Sequence, residues 1–170
     1  MSAELSQTVI DSLEFARAGQ TLRDSLPVSG LTRLRESLYD AGGRIDFVVT
    51  GGHDARHRPT LHLEVSGLLH LRCQRCLGNL DYPLRIGTTL LLLANPPDTG
   101  GEDAASEEGD WIEPSTALDI GGLVEDEIIL DLPYAPRHPE GKCAVNLNET
   151  APGAVHPAFA RLAALKRNPN

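Results

Sequence analysis

Leu61-His-Leu-Glu-Val-Ser-Gly-Leu-Leu-His-Leu-Arg72 and Leu80-Asp-Tyr-Pro-Leu-Arg-Ile-Gly-Thr-Thr-Leu-Leu-Leu-Leu93 flank a short turn that carries Cys73-Gln-Arg-Cys76. In the first segment the odd positions are apolar: Leu61, Leu63, Val65, Leu69 and Leu71, with Gly67 the small exception. The even positions are His62, Glu64, Ser66, His70 and Arg72, with Leu68 the one intruder. After the turn the apolar set moves to even positions: Leu80, Tyr82, Leu84, Ile86, Leu90 and Leu92. A period of two over this length marks two half-buried strands. Joined by so short a turn, they form a hairpin whose tip presents two thiols.

Composition sets the limits around that hairpin. At 170 residues one domain is expected over 1–170. Aromatics are only 4%, so the core must be built from Leu, Val and Ile. The start of the chain has neither a basic stretch nor an apolar run, so no signal peptide is expected. The longest purely apolar run, Leu90 to Ala94, is too short to cross a bilayer. Three cysteines is an odd number, which favours a reducing compartment and free thiols or metal ligands over a disulfide framework. A cytoplasmic protein without membrane contact is the expectation.

The net charge of −9 is uneven. Residues 1–90 hold ten basic and ten acidic side chains, whereas residues 91–170 hold five and fourteen. Between Asp98 and Asp131 there are twelve acids and no base. Only the first half can offer phosphate a basic surface, and the acidic segment suits a basic partner or serves solubility.

Taken in order, Ser12 is placed to cap a short helix through Ala18 that Gly19 ends. A strand follows over 20–28. Ser29 is placed to cap a helix whose Leu31, Leu34 and Leu38 form an inward stripe. Residues 43–50 alternate as a strand, and 51–59 read as a polar loop. Beyond the hairpin, residues at about 95–110 are rich in Pro, Gly, Ser and acid and read as a mobile acidic loop. Trp111 and Ile112 return the chain to the sheet. Asp119 caps a helix through about Leu130, with Ile120, Leu123, Val124 and Ile128 inward and Glu125 and Asp126 outward; Pro133 stops it. Residues 133–156 are irregular, and Pro157 opens a last short helix. The fold class is α+β: a mainly antiparallel sheet of hairpins with flanking helices, and the Cys-x-x-Cys turn between its two longest strands.

The sites follow from residue chemistry. Cys73 and Cys76 can aim two thiolates at one cation, with Gly78 and Asn79 supplying the left-handed backbone that a knuckle turn demands. Zinc needs four ligands, and His138 and Cys143 in His138-Pro-Glu-Gly-Lys-Cys143 would complete a closed, structural set. The plain alternative is that Cys73 and Cys76 are turn thiols and Cys143 is unrelated. A redox role lacks its usual strand-to-helix setting. Arg72, Arg75 and Arg85, with Arg56 and Arg58, would make a small RNA-binding phosphate face if they cluster. His53 and His57 lack metal-binding companions beyond Asp54, and His62 and His70 sit on a polar strand face. Glu125, Asp126 and Glu127 point in successive directions around their helix, which suits a solvated or partner-binding surface rather than paired catalysis. No Gly-rich phosphate loop, nucleophile elbow or His-Glu-x-x-His motif is present, so no enzyme and no small-molecule substrate is expected.

These features in this order resemble the YceD family of large ribosomal RNA subunit accumulation proteins. The resemblance rests on Cys73-Gln-Arg-Cys76 after a long alternating strand, Leu123-Val-Glu-Asp-Glu-Ile-Ile-Leu130 before Leu132-Pro133, His138 with Cys143, and Phe159-Ala-Arg-Leu-Ala-Ala-Leu-Lys166. Where the family has Asn-Pro-Phe, this chain has His156-Pro-Ala-Phe159. The resemblance implies a part in synthesis, processing or stability of 23S ribosomal RNA in the bacterial cytoplasm. The implied partner is a large-subunit rRNA precursor or a basic ribosomal protein. The family lends no enzymatic activity, and the one cofactor to consider is structural zinc.

Overall fold

The computed structural model describes residues 8–94 and 110–143. Its centre is an antiparallel hairpin of β4 (Pro59–Arg72) and β5 (Asn79–Leu92), each 14 residues long. With β2 (Thr21–Pro27), β3 (Arg44–His53) and β6 (Trp111–Ile112) they make a five-stranded sheet in the order β2-β3-β4-β5-β6. All neighbours are antiparallel except β6, which runs parallel to β5. A two-stranded sheet pairs β1 (Val9–Ile10) with β7 (Leu118–Asp119). Helix α1 covers Ser12–Arg17 and helix α2 Ile120–Asp131. The described residues are thus mostly sheet with few helices, an α+β arrangement.

The alternation read from the sequence sets the register. Phe47 lies opposite Val65, which lies opposite Ile86, and Val49 lies opposite Leu63. This face joins Leu34, Ile120, Val124 and Ile128 in one buried cluster. Gly67 sits between Ile45 and Leu84 in that register. A Cβ there would fall 2.6 Å from Ile45 Cδ1, so the gap in the apolar row is filled by a neighbour. The opposite face bears Asp46, His62, Glu64 and Arg85 and stays exposed. One-sided burial of this kind fixes register, because a slip of one residue would bury the polar row.

Three local expectations are corrected. Asp11, not Ser12, caps α1: its carboxylate accepts from the Glu14 N–H. Ser12 is buried instead, its hydroxyl donating to Ser115 O and accepting from Ser115 N–H. The helix expected after Ser29 is two 3-10 turns, Val28–Gly30 and Arg33–Glu36, with no side-chain cap. Leu31, Leu34 and Leu38 are nevertheless all buried, so the apolar spacing recorded burial rather than helix. Strand β3 also runs on through Gly51 and Gly52, which the polar-loop reading had excluded. Gly51 allows this because α1 crosses so closely that a Cβ would lie 2.4 Å from Phe15 O.

Helix α2 begins as expected, with the Asp119 carboxylate accepting from Gly121 N–H. Glu125, expected to face outward, is instead buried. Its carboxylate accepts from the N–H groups of Arg33 and Leu34 and from Arg33 Nε. Asp126 also pairs with Arg33, so two acids of α2 hold down the 3-10 turn beneath it. The loop expected at 95–110 lies outside the described residues up to 109, as do the irregular stretch beyond Cys143 and the helix expected from Pro157.

Candidate metal centre

The turn from β4 to β5 closes on itself before it meets any partner. Cys73 N–H donates to Gly78 O at 3.0 Å, and Leu77 N–H donates to Cys73 O at 2.8 Å. The left-handed residue is Leu77, at φ 59, rather than Gly78 or Asn79. A second segment then packs against this knuckle. Gln74 N–H donates to Pro136 O at 2.8 Å, and Arg75 donates to Pro139 O at 3.3 Å. Helix α2 ends at Asp131, and a turn in which Lys142 N–H donates to Pro139 O lies between His138 and Cys143 at the hairpin tip.

One donor atom from each of Cys73, Cys76, His138 and Cys143 lies within 4.8 Å of every other. Cys73 Sγ is 4.0 Å from Cys143 Sγ. His138 Nδ1 is 3.4 Å from Cys76 Sγ and 3.8 Å from Cys143 Sγ. A tetrahedral zinc, with Zn–S of about 2.3 Å and Zn–N of about 2.0 Å, places sulfurs about 3.8 Å apart and nitrogen about 3.5 Å from sulfur. The spacing fits such an ion.

The surroundings fit it too. His138 Nε2 donates to Asn79 O at 2.7 Å, so a neutral ring would turn its Nδ1 lone pair to the sulfurs, whereas the Cys73 and Cys143 sulfurs raise the imidazole above its ordinary value when no cation is present. The bond to Asn79 is the outer hydrogen bond a ligating imidazole normally has. Burial pushes the Cys73 thiol up, but backbone N–H groups of Cys76, His138 and Arg75 outweigh it and carry the thiol down to about 5. Burial likewise raises Cys143, and Arg75, Cys76 and His138 carry it below its ordinary value. At Cys76 the Gly78 N–H pulls down, yet burial and the Cys143 and Cys73 sulfurs leave that thiol raised. Three sulfurs this close do not all ionise without a cation among them. A divalent ion would let the third thiol ionise as well. Three thiolates around it carry a net −1, and Arg75 answers that charge with Nε 3.0 Å from Cys143 Sγ.

The five arginines do not form one face. Arg56 and Arg58 lie in the turn between β3 and β4, where Arg58 pairs with Asp54 at 2.7 Å. Arg72 lies at the far end of β4, roughly 40 Å along the strand at about 3.3 Å per residue. Arg85 lies mid-sheet opposite Ser66, and Arg75 is engaged with Cys143. The knuckle end has cations that the sequence reading missed: Arg137 and Lys142 sit beside the candidate ligands His138 and Cys143 in the chain. Tyr134 and Leu77 stand exposed on the same two segments. The adjacency of those cations to the ligand pair was the available signal.

The family model for large ribosomal RNA subunit accumulation protein YceD matches residues 61–166. The chain belongs to the YceD family. The matched span begins at the first long hairpin strand and contains all four metal-facing donors and α2. In this YceD-family chain, therefore, the matched span and the candidate site coincide in one region. No curated protein and no solved structure matches the chain. Among the described residues, no helix is long and apolar enough to cross a membrane.

Proposed function

We propose that this protein is a cytoplasmic ribosome-biogenesis factor that supports accumulation of large-subunit (23S) rRNA without catalysing a reaction. It would bind the rRNA precursor or a basic protein attached to it. The observation that carries this reading is the family match over residues 61–166. The site chemistry supports it. Cys73, Cys76, His138 and Cys143 would hold a structural zinc ion with all four positions filled by protein, leaving none for a substrate. Such an ion clips residues 136–143 to the hairpin tip.

RNA contact is assigned to the knuckle end, where Arg72, Arg137 and Lys142 supply charge and Tyr134 supplies a ring for base stacking. Arg85 would extend that surface along β5. Arg56 and Arg58 would touch phosphate only at the other end of the hairpin. On α2, Glu125 is committed to the fold, so a basic protein would be met by Asp126 and Glu127.

Depletion of the protein in cells tests the reading. Mature large-subunit rRNA should fall relative to small-subunit rRNA while transcription of the operon holds. Crosslinking should recover large-subunit precursor RNA with the protein. Unchanged rRNA levels would refute the proposal.

A further inference from the structure

We propose that the groove between β6 and α2 is a docking site for a Lys/Arg-flanked, leucine-anchored segment of a partner protein. The inference rests on the reading above for the partner's class and adds the surface that receives it. The groove encloses about 490 Å³. Leu90, Trp111, Ile112, Leu123 and Leu130 line it with apolar side chains. Leu130 is 78% exposed and Trp111 41%, in a chain with few aromatics and this single tryptophan. Neither is needed by the core, and both hold apolar surface in water at a cost.

The rim selects the occupant by charge. Asp110, Asp126 and Glu127 line the same groove. Burial, then Asp110 and Asp126, push the Glu127 carboxyl up, and a cation seated between them would relieve that crowding. Asp126 already meets Arg33, which fixes the rim on one side. An acidic rim around an apolar cleft repels nucleic acid and suits a basic, amphipathic peptide. The groove lies beside Leu91 and Leu92, whereas the knuckle joins β5 at Asn79. The two surfaces thus stand at opposite ends of one long strand, and a single molecule could hold RNA at one end and a basic protein at the other.

The test titrates the full chain with a synthetic Lys-Arg-Leu-Leu-Arg-Lys peptide and follows Trp111 emission. A saturable blue shift is expected, weakened about tenfold by Leu130→Ser or by Glu127→Lys and lost for a Glu-Asp-Leu-Leu-Asp-Glu peptide. Circular dichroism verifies that both variants remain folded. Equal shifts with both peptides, or unaltered affinity in both variants, would overturn the proposal. So would a saturable shift with a single-stranded oligoribonucleotide, which would make the groove a nucleic-acid site. A shift that emerges only after Arg161→Glu, Lys166→Glu and Arg167→Glu are combined would place the chain's own C-terminal segment there instead, and would also overturn it. Peptide binding and the rRNA phenotype are read in separate assays, so either can fail without the other.

Discussion

Replacing Glu125 by Ala is the sharpest probe of how α2 is held. The Glu125 carboxylate accepts from Arg33 N at 2.7 Å, Leu34 N at 3.3 Å and Arg33 Nε at 3.0 Å. Arg33 is half exposed, so its guanidinium recovers water and its share of the loss is small. The two backbone N–H groups decide the size of the effect. Hydrogen bonds to a charged acceptor contribute about 1.5–3 kcal/mol each, and the Leu34 N–H would be left buried. Glu125→Ala should therefore cost roughly 3–4 kcal/mol. Glu125→Gln keeps one carbonyl oxygen for the backbone pair and should cost about 1–2 kcal/mol. Urea denaturation of both variants, with an unchanged m-value, measures this directly. If Glu125 instead served a partner surface, its removal would leave stability almost unchanged. A loss below about 0.5 kcal/mol for the Ala variant would refute the packing argument.

Three further outcomes are expected. Gly51→Ala should lower stability by about 3 kcal/mol or more, because its Cβ would meet the backbone of Phe15 and Ala16 at 2.4 and 2.7 Å, whereas Gly87→Ala, with nothing within 4 Å, should be near neutral; thermal melts separate the two. The Glu127 carboxyl is raised by burial and by Asp110 and Asp126, so the fold holds its proton more tightly than the unfolded chain does. Stability from this group is therefore full below the unfolded value of about 4.3 and lost as pH rises through the raised value, so Glu127→Gln should be more stable than the parent at neutral pH and equal to it near about pH 3. Arg75→Ala removes the cation on Cys143 and should weaken zinc binding about tenfold in a competition titration with a chromophoric chelator.

The strands and the site were legible in the sequence to different depths. Alternation over Leu61 to Leu71 and again over Leu80 to Leu92 carried the hairpin, because one-sided burial leaves a period of two that nothing else produces. The metal-facing set was legible from residue type alone, since Cys and His are the strongest candidates for a soft cation wherever the chain brings them. The outward reading of Glu125 failed for a geometric reason. It lies one turn before Ile128, on the flank of the buried stripe, and only the tertiary position of Arg33 decides that it points inward. The 3-10 turns at Val28–Gly30 and Arg33–Glu36 failed because apolar spacing reports which side chains are buried, not which hydrogen bonds the backbone makes. The arginines do not share one place because the length of β4 separates Arg56 and Arg58 from Arg72.

On the proposed function, a zinc ion would join the hairpin tip to the segment at His138 and Cys143. X-ray absorption at the zinc edge, on protein purified without chelator and with its metal content measured, tests it most directly. About one zinc per chain is expected, with three sulfur neighbours at about 2.3 Å and one nitrogen at about 2.0 Å. Chelation should then release three titratable thiols. Protein that is folded, free of zinc and fully reactive at all three thiols before any chelator is added would contradict the account.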